Sequence, residues 1–79
     1  ELPGWEMPSP TEIAKEFEFK DFKEAMGFVQ KVGEEAERHH HHPDILIRNS
    51  RVLLTLTTRE DNCLTYMDFK MAKIIEQLL

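Results

Sequence analysis

All four histidines of this 79-residue chain stand side by side, in the stretch Glu37-Arg38-His39-His40-His41-His42-Pro43. Imidazole is the one side chain that ordinarily titrates near neutrality, so a run of it is suited to giving and taking protons. The same run could bind a metal, or could simply decorate a solvated helix end. Zinc needs three or four ligands converging from separated segments. Apart from the histidines the chain offers only Cys63 and scattered carboxylates without paired spacing, so no metal is expected. An affinity tag sits at a terminus, whereas this run joins two well-patterned elements.

His39 and His40 are expected at a helix C-terminus, whose partial negative charge favours a protonated imidazole in solvent. His41 and His42 differ, because they lead into Pro43, which turns the chain towards a strand. Successive residues in extended geometry point to opposite faces, so only part of the run can line any one pocket.

The elements that position the run are legible on either side. Asp21 opens a helix: its carboxylate can cap the first turn, and Glu24 completes a capping-box-like pair. Phe22, Met26, Val29, Val32 and Ala36 recur at three- and four-residue steps as its apolar stripe, with Lys23, Glu34, Glu35 and Arg38 off it. Gly27 and Gly33 cost about 1 kcal/mol each against alanine, and are expected to permit close helix packing. After Pro43, residues 44–48 and 51–58 are rich in branched apolar residues and read as two strands, with Asn49-Ser50 as a hairpin turn. Asp61-Asn62 reads as a loop. Thr65 and Asp68 form a second capping pair, followed by Phe69, Ala72, Ile75 and Leu79 as the stripe of a C-terminal helix. Ahead of the first helix, residues 16–20 alternate polar and apolar as a half-buried strand does, while residues 11–15 fit a strand or a helix start. Residues 1–10 hold three of the four prolines and the only tryptophan, and read as an extended arm that Trp5 anchors to the core or uses to stack on a ligand. The fold class expected is α+β: an antiparallel four-stranded sheet with helices on one face, in β-α-β-β-α order, forming one small domain over residues 1–79.

A chain of this size buries only about 60% of its unfolded surface. Cys63 has no partner thiol, so no disulfide adds stability, and self-association is expected to do so instead. The net charge of -5 argues against nonspecific binding to nucleic acid or to an anionic membrane. No apolar run approaches the roughly 20 residues that span a bilayer. A lone thiol and no export-type segment lead to the expectation of a cytoplasmic location.

Several stretches together carry a family resemblance. Gly4-Trp5 is followed by Phe17-x-Phe19-Lys20-Asp21-Phe22-x-x-Ala25, then Ala36-Glu37 and His41-His42-Pro43-Asp44. Leu56-Thr57-Thr58 and Leu64-Thr65-x-x-Asp68-Phe69 complete the pattern. Over nearly the whole chain, in order and with matching gaps, this resembles pterin-4a-carbinolamine dehydratase. The resemblance implies a lyase that dehydrates 4a-hydroxytetrahydrobiopterin to the quinonoid dihydropterin in tetrahydrobiopterin recycling. It implies no cofactor, the pterin being the substrate. His41 and His42 fall on the family's catalytic pair. Glu37 falls on a carboxylate of the same pocket, and Thr57 and Asp68 on polar positions of the far wall, although Asp68 is equally explained as a helix cap. The implied assembly is a homodimer that joins two sheets edge to edge, paired through helices into a homotetramer.

The chain departs from the family pattern on one side of the expected site. Arg59 stands where a third histidine is usual. Arginine stays protonated and cannot cycle a proton, but it can hold the pterin carbonyl. Asn49 replaces a usual aromatic residue, and Asn62-Cys63 a usual glycine pair. Two readings follow: an active dehydratase with Arg59 as binder, or a catalytically weakened member that binds a protein, as a coactivator-like form of the family does.

Overall fold

In residues 12–18, Ile13, Lys15 and Phe17 fall on one face of an extended chain, and in residues 51–56 Val52, Leu54 and Leu56 do the same. The two strands run antiparallel with Ile13 opposite Leu56, Lys15 opposite Leu54 and Phe17 opposite Val52, so these residues form one inner surface. The computed structural model describes residues 3–58 and 63–79. Its elements run β1 (Glu6–Ser9), β2 (Glu12–Glu18), α1 (Phe22–His39), β3 (Asp44–Arg48), β4 (Arg51–Leu56) and α2 (Tyr66–Glu76). The four strands lie in the order β1-β2-β4-β3, every neighbouring pair antiparallel. Ala25, Phe28, Val32 and Ala36 of α1 and Met71, Ala72 and Ile75 of α2 close over the inner surface in one core. The fold is the expected α+β arrangement of four antiparallel strands and two helices.

The fourth strand comes from residues read as an arm. Glu6–Ser9 pairs with β2 through an irregular register, as an edge strand can even with Pro8 in it, because one side of an edge needs no amide donor. Strand β2 also begins at Glu12, so residues 12–15 extend the alternation rather than start a helix. Trp5 packs edge-on against Phe17, and its indole N–H donates to Glu76 Oε2 at 2.9 Å. Lys15, on the inner face, reaches the same Glu76 oxygen at 2.6 Å. That contact is what lets a charged residue occupy an inward position.

The first helix begins as expected, with Glu24 N donating to Asp21 Oδ1 at 2.9 Å. Its buried face is not the expected one. Phe22 is 57% exposed and Met26 41% exposed, while Ala25 and Phe28 are buried. Two interleaved stripes exist on this helix, 22-26-29-33 and 25-28-32-36, and the expectation mixed them. The sheet takes the second, where two alanines allow close approach and Phe28 stacks against Phe17 and Phe19. Gly27 and Gly33 have open space where a Cβ would stand, so they serve no close packing within this chain. In α2 Ala72 and Ile75 are buried as expected, but Asp68 and Met71 complete the buried face while Phe69 and Leu79 are exposed. The Asn49-Ser50 turn forms as read, with Asn49 in the left-handed region at φ 57°. Regular pairing of β4 stops at Leu56, two residues short of the expected end, and Thr58 is bridged to Cys63. The expected loop at Asp61-Asn62 lies outside the described residues.

Candidate active site

Helix α1 stops because His40 adopts the left-handed conformation, φ 53° and ψ 40°. His41 N then donates back to Ala36 O at 3.0 Å, closing the helix end. This reversal, followed by the proline, sends the next two side chains to different surroundings. His41 turns inward and is buried, whereas the His42 side chain is 57% exposed. His39 stays on the last turn of α1 beside Glu35, at 3.5 Å, and borders a small cleft with His41, Met67 and Lys70. His40 is exposed, as expected of a helix end.

Both His41 and His42 meet a carboxylate. His41 Nε2 lies 2.6 Å from Asp68 Oδ1, and His42 Nε2 lies 2.6 Å from Glu37 Oε2. Among the described residues both rings have Nδ1 left over for chemistry. The two carboxylates differ in setting. Glu37 sits on the exposed last turns of α1, five residues before His42. Asp68 is wholly buried in the first turn of α2, where its Oδ2 accepts from Thr65 N at 3.0 Å and from Thr58 Oγ1 at 2.8 Å. Thr65 is the N-cap of that helix, so the capping box and the histidine contact share one carboxylate. One carboxylate therefore serves as the helix cap and as the partner of His41.

Thr58 is the site residue that sequence reasoning passed over. Its hydroxyl joins Asp68 and Thr65 Oγ1, the latter at 2.7 Å, while Thr57 donates to Thr11 O at 2.5 Å beside the β1–β2 turn. Strand alternation carried the signal: Val52, Leu54 and Leu56 face inward, so position 58 falls on the inner face and position 57 on the other. The structure thus gathers His41, His42, Glu37 and Asp68 around the end of α1, and sets Thr57 against the hairpin. Arg59 lies outside the described residues. Among the described residues no three His, Cys, Asp or Glu side chains converge in a way that could hold a metal ion, and no helix is long and apolar enough to cross a membrane.

An imidazole held at one nitrogen by a carboxylate and open at the other is an arrangement for proton transfer. Over nearly its whole length the chain is similar to known proteins. The family model for Pterin 4 alpha carbinolamine dehydratase matches residues 1–78. A protein of Acidobacterium capsulatum provisionally named pterin-4-alpha-carbinolamine dehydratase is 51% identical over 78 residues, covering 99% of this chain and 84% of its own. A relative from Thermomicrobium roseum with the same provisional name is 45% identical, covering 99% of this chain and 83% of its own. Among solved structures, a transcriptional coactivator/pterin dehydratase from Brucella melitensis superposes with a TM-score of 0.91 at 36% identity, covering 98% of this chain and 83% of that one. A pterin dehydratase-like protein described as a RuBisCO assembly factor shares the fold at a TM-score of 0.80 and 19% identity, covering 95% of this chain and 88% of that one.

Proposed function

This chain belongs to the pterin-4a-carbinolamine dehydratase family, and from that membership we propose that it dehydrates 4a-hydroxytetrahydrobiopterin to quinonoid dihydropterin and water, with His41 and His42 as the acid and base. In this reaction the C4a–O bond breaks with its electron pair leaving on oxygen. A proton must reach that oxygen, and another must leave a ring nitrogen as its lone pair forms the C=N bond. No electron acceptor is needed, and we propose no cofactor. The observation that carries it is the pair of adjacent histidines, each with Nε2 at 2.6 Å from a carboxylate. A positioned acid or base contributes typically about 10²–10⁴-fold.

Glu37 is proposed to orient His42 or to meet the pterin amino group, and Arg59 to hold the pterin carbonyl. Asp68 and Thr57, read from the sequence as substrate contacts, have oxygens already engaged by protein donors or acceptors. We assign Asp68 a part through His41 rather than on the pterin. Copies of the chain are further proposed to associate, since Phe22, Met26 and Phe69 are exposed and the sheet edge strand β3 presents Ile45 and Leu46. Sedimentation at the mass of one chain would remove that part.

The test is the rate of 4a-hydroxytetrahydrobiopterin dehydration by the purified protein, with His41→Ala, His42→Ala and Arg59→His beside it. The expected result is turnover that falls about 10²-fold or more in each alanine variant. Unchanged turnover in both alanine variants would sink the histidine mechanism. The exposed apolar residues and the coactivator description of the Brucella melitensis structure favour a protein-binding member as the second reading. Absence of turnover in both the natural protein and Arg59→His would put that reading first.

A further inference from the structure

We infer that the capping box of α2 locks His41 as the Nε2–H tautomer, with Thr58 and Asp68 as positioning residues and Nδ1 as the nitrogen that exchanges protons. The lock itself follows from hydrogen-bond polarity alone; its catalytic meaning rests on the dehydratase reading above.

The polarity is set by groups that have no choice of role. Met67 N donates to Thr65 Oγ1 at 3.2 Å, and Thr65 N donates to Asp68 Oδ2 at 3.0 Å. Backbone amides only donate, and an ionised carboxylate only accepts. Each threonine hydroxyl has one proton to place. Thr58 Oγ1 is 2.8 Å from Asp68 Oδ2 and therefore gives its proton there. The 2.7 Å contact between Thr58 Oγ1 and Thr65 Oγ1 must then be Thr65 donating to Thr58. Every proton in the chain Met67–Thr65–Thr58–Asp68 thus points at one carboxylate, and two of its donors converge on Oδ2. Oδ1 remains for the ring, at 2.6 Å from Nε2. With only an acceptor facing it, Nε2 must carry the hydrogen, and a neutral His41 presents a bare Nδ1. Such a ring takes a proton at Nδ1 as a base and returns it from Nδ1 as an acid. Full burial of Asp68 keeps water from relaxing this order.

Asp68→Asn inverts the lock. Thr65 N still donates to the Oδ2 position, so the amide oxygen must stand there and the amide nitrogen must face His41. Nε2 then has to accept, and the hydrogen moves to Nδ1, the wrong nitrogen. Thr58→Val removes a donor of nearly the same shape, leaving the carboxylate less restrained, whereas Thr58→Ser keeps the hydroxyl.

The experiment is nitrogen-15 NMR of the histidine-labelled protein at about pH 8.5, above the usual imidazole range. His41 is assigned by the signals lost in His41→Gln, and steady-state turnover is measured in parallel. The natural protein is expected to show Nε2 protonated and Nδ1 bare. Asp68→Asn is expected to exchange the two signals and to lower kcat about 10²–10⁴-fold, the worth of a general base. Thr58→Val is expected to shift both signals towards the tautomer average and to lower kcat about tenfold with KM little changed, as misalignment does. Thr58→Ser should restore both. A merely structural Thr58 would leave the nitrogen signals in place. Nδ1–H in the natural protein overturns the inference whatever the variants do, and unshifted signals in Thr58→Val remove Thr58 from it. The expected signals without any turnover would leave the lock standing and overturn the dehydratase reading. Turnover with an Nδ1–H ring would do the reverse.

Discussion

The His41–Asp68 and His42–Glu37 pairs have the same length, 2.6 Å, and opposite surroundings. Asp68 is fully buried and accepts from Thr58 and from Thr65, so its position is dictated by two chain segments besides the histidine. Glu37 has a side chain that is 78% exposed, and His42 is the partner the structure gives it. Equal distances therefore conceal unequal consequences. In the buried pair, loss of one member strands the other polar groups away from water. In the exposed pair, water and salt replace whatever is lost. The buried histidine is fixed in orientation and hydrogen polarity, and the exposed one is free to follow a substrate.

The sharpest way to break the comparison is Asp68→Ala. It removes the acceptor of His41 Nε2, of the Thr58 hydroxyl and of Thr65 N, and with them the capping box of α2. The expected loss is about 3 kcal/mol or more, because each of the three donors left unpaired away from water costs about 1–3 kcal/mol. Against a total of about 5–15 kcal/mol for a whole domain, this brings the chain close to unfolding. Urea denaturation measures it; a loss below about 1 kcal/mol would mean that the buried pair behaves like a surface one.

The same contrast explains what was legible in the sequence. Local chemistry could be read directly: Asp21 and Thr65 as caps, the Asn49-Ser50 turn, and the end of the first helix at the histidines. These depend on neighbours a few residues away. The division of labour between His41 and His42 was legible only as a difference of face, because the partner of one comes from 27 residues further on. Faces of helices were harder. Phe22 is larger and more apolar than Ala25, so a periodicity weighted by hydrophobicity selects it, yet close approach to the sheet selects the small residue. Thr57 and Thr58 differ by one position, and one position in a strand reverses the face. The strand in Glu6–Ser9 was hidden by Pro8 and the flanking Pro3 and Pro10, since a sequence rule that reads Pro as a breaker does not know which strand will be an edge. Nothing among the described residues explains Gly27 and Gly33.

A second prediction concerns the residue that separates the two pairs. His40 holds φ 53° with a Cβ present, a conformation that costs a non-glycine residue roughly 1–2 kcal/mol. Glycine would remove that strain but add about 0.4–1 kcal/mol of freedom to the unfolded chain. His40→Gly is therefore expected to stabilise the protein by about 0.5–1 kcal/mol. A rise in the thermal midpoint checks this. A fall would mean that the His40 ring makes a contact that outweighs its backbone strain, and that the parting of the two histidines is held from outside the turn.

The smallest effect is expected at the exposed pair itself. Glu37→Gln keeps the size of the side chain and removes its charge, leaving an amide that can still meet the His42 ring. Surface pairs of this kind contribute about 0–1 kcal/mol, and part of that is spent on ordering two mobile side chains. Glu37→Gln should thus lower stability by less than about 0.5 kcal/mol in low salt, and by less still at about 0.5 M salt, where the screening length is only a few ångströms. The loss in Asp68→Ala should be the same at both salt concentrations, because ions do not enter the site around a fully buried carboxylate. Unfolding of both variants in about 0.05 M and 0.5 M sodium chloride makes the comparison. Salt sensitivity confined to Glu37→Gln would establish that burial, rather than the shared 2.6 Å distance, sets what each pair is worth. Equal salt sensitivity in the two variants would show that solvent reaches His41 as it does His42, and the distinction between a fixed and a free histidine would fall.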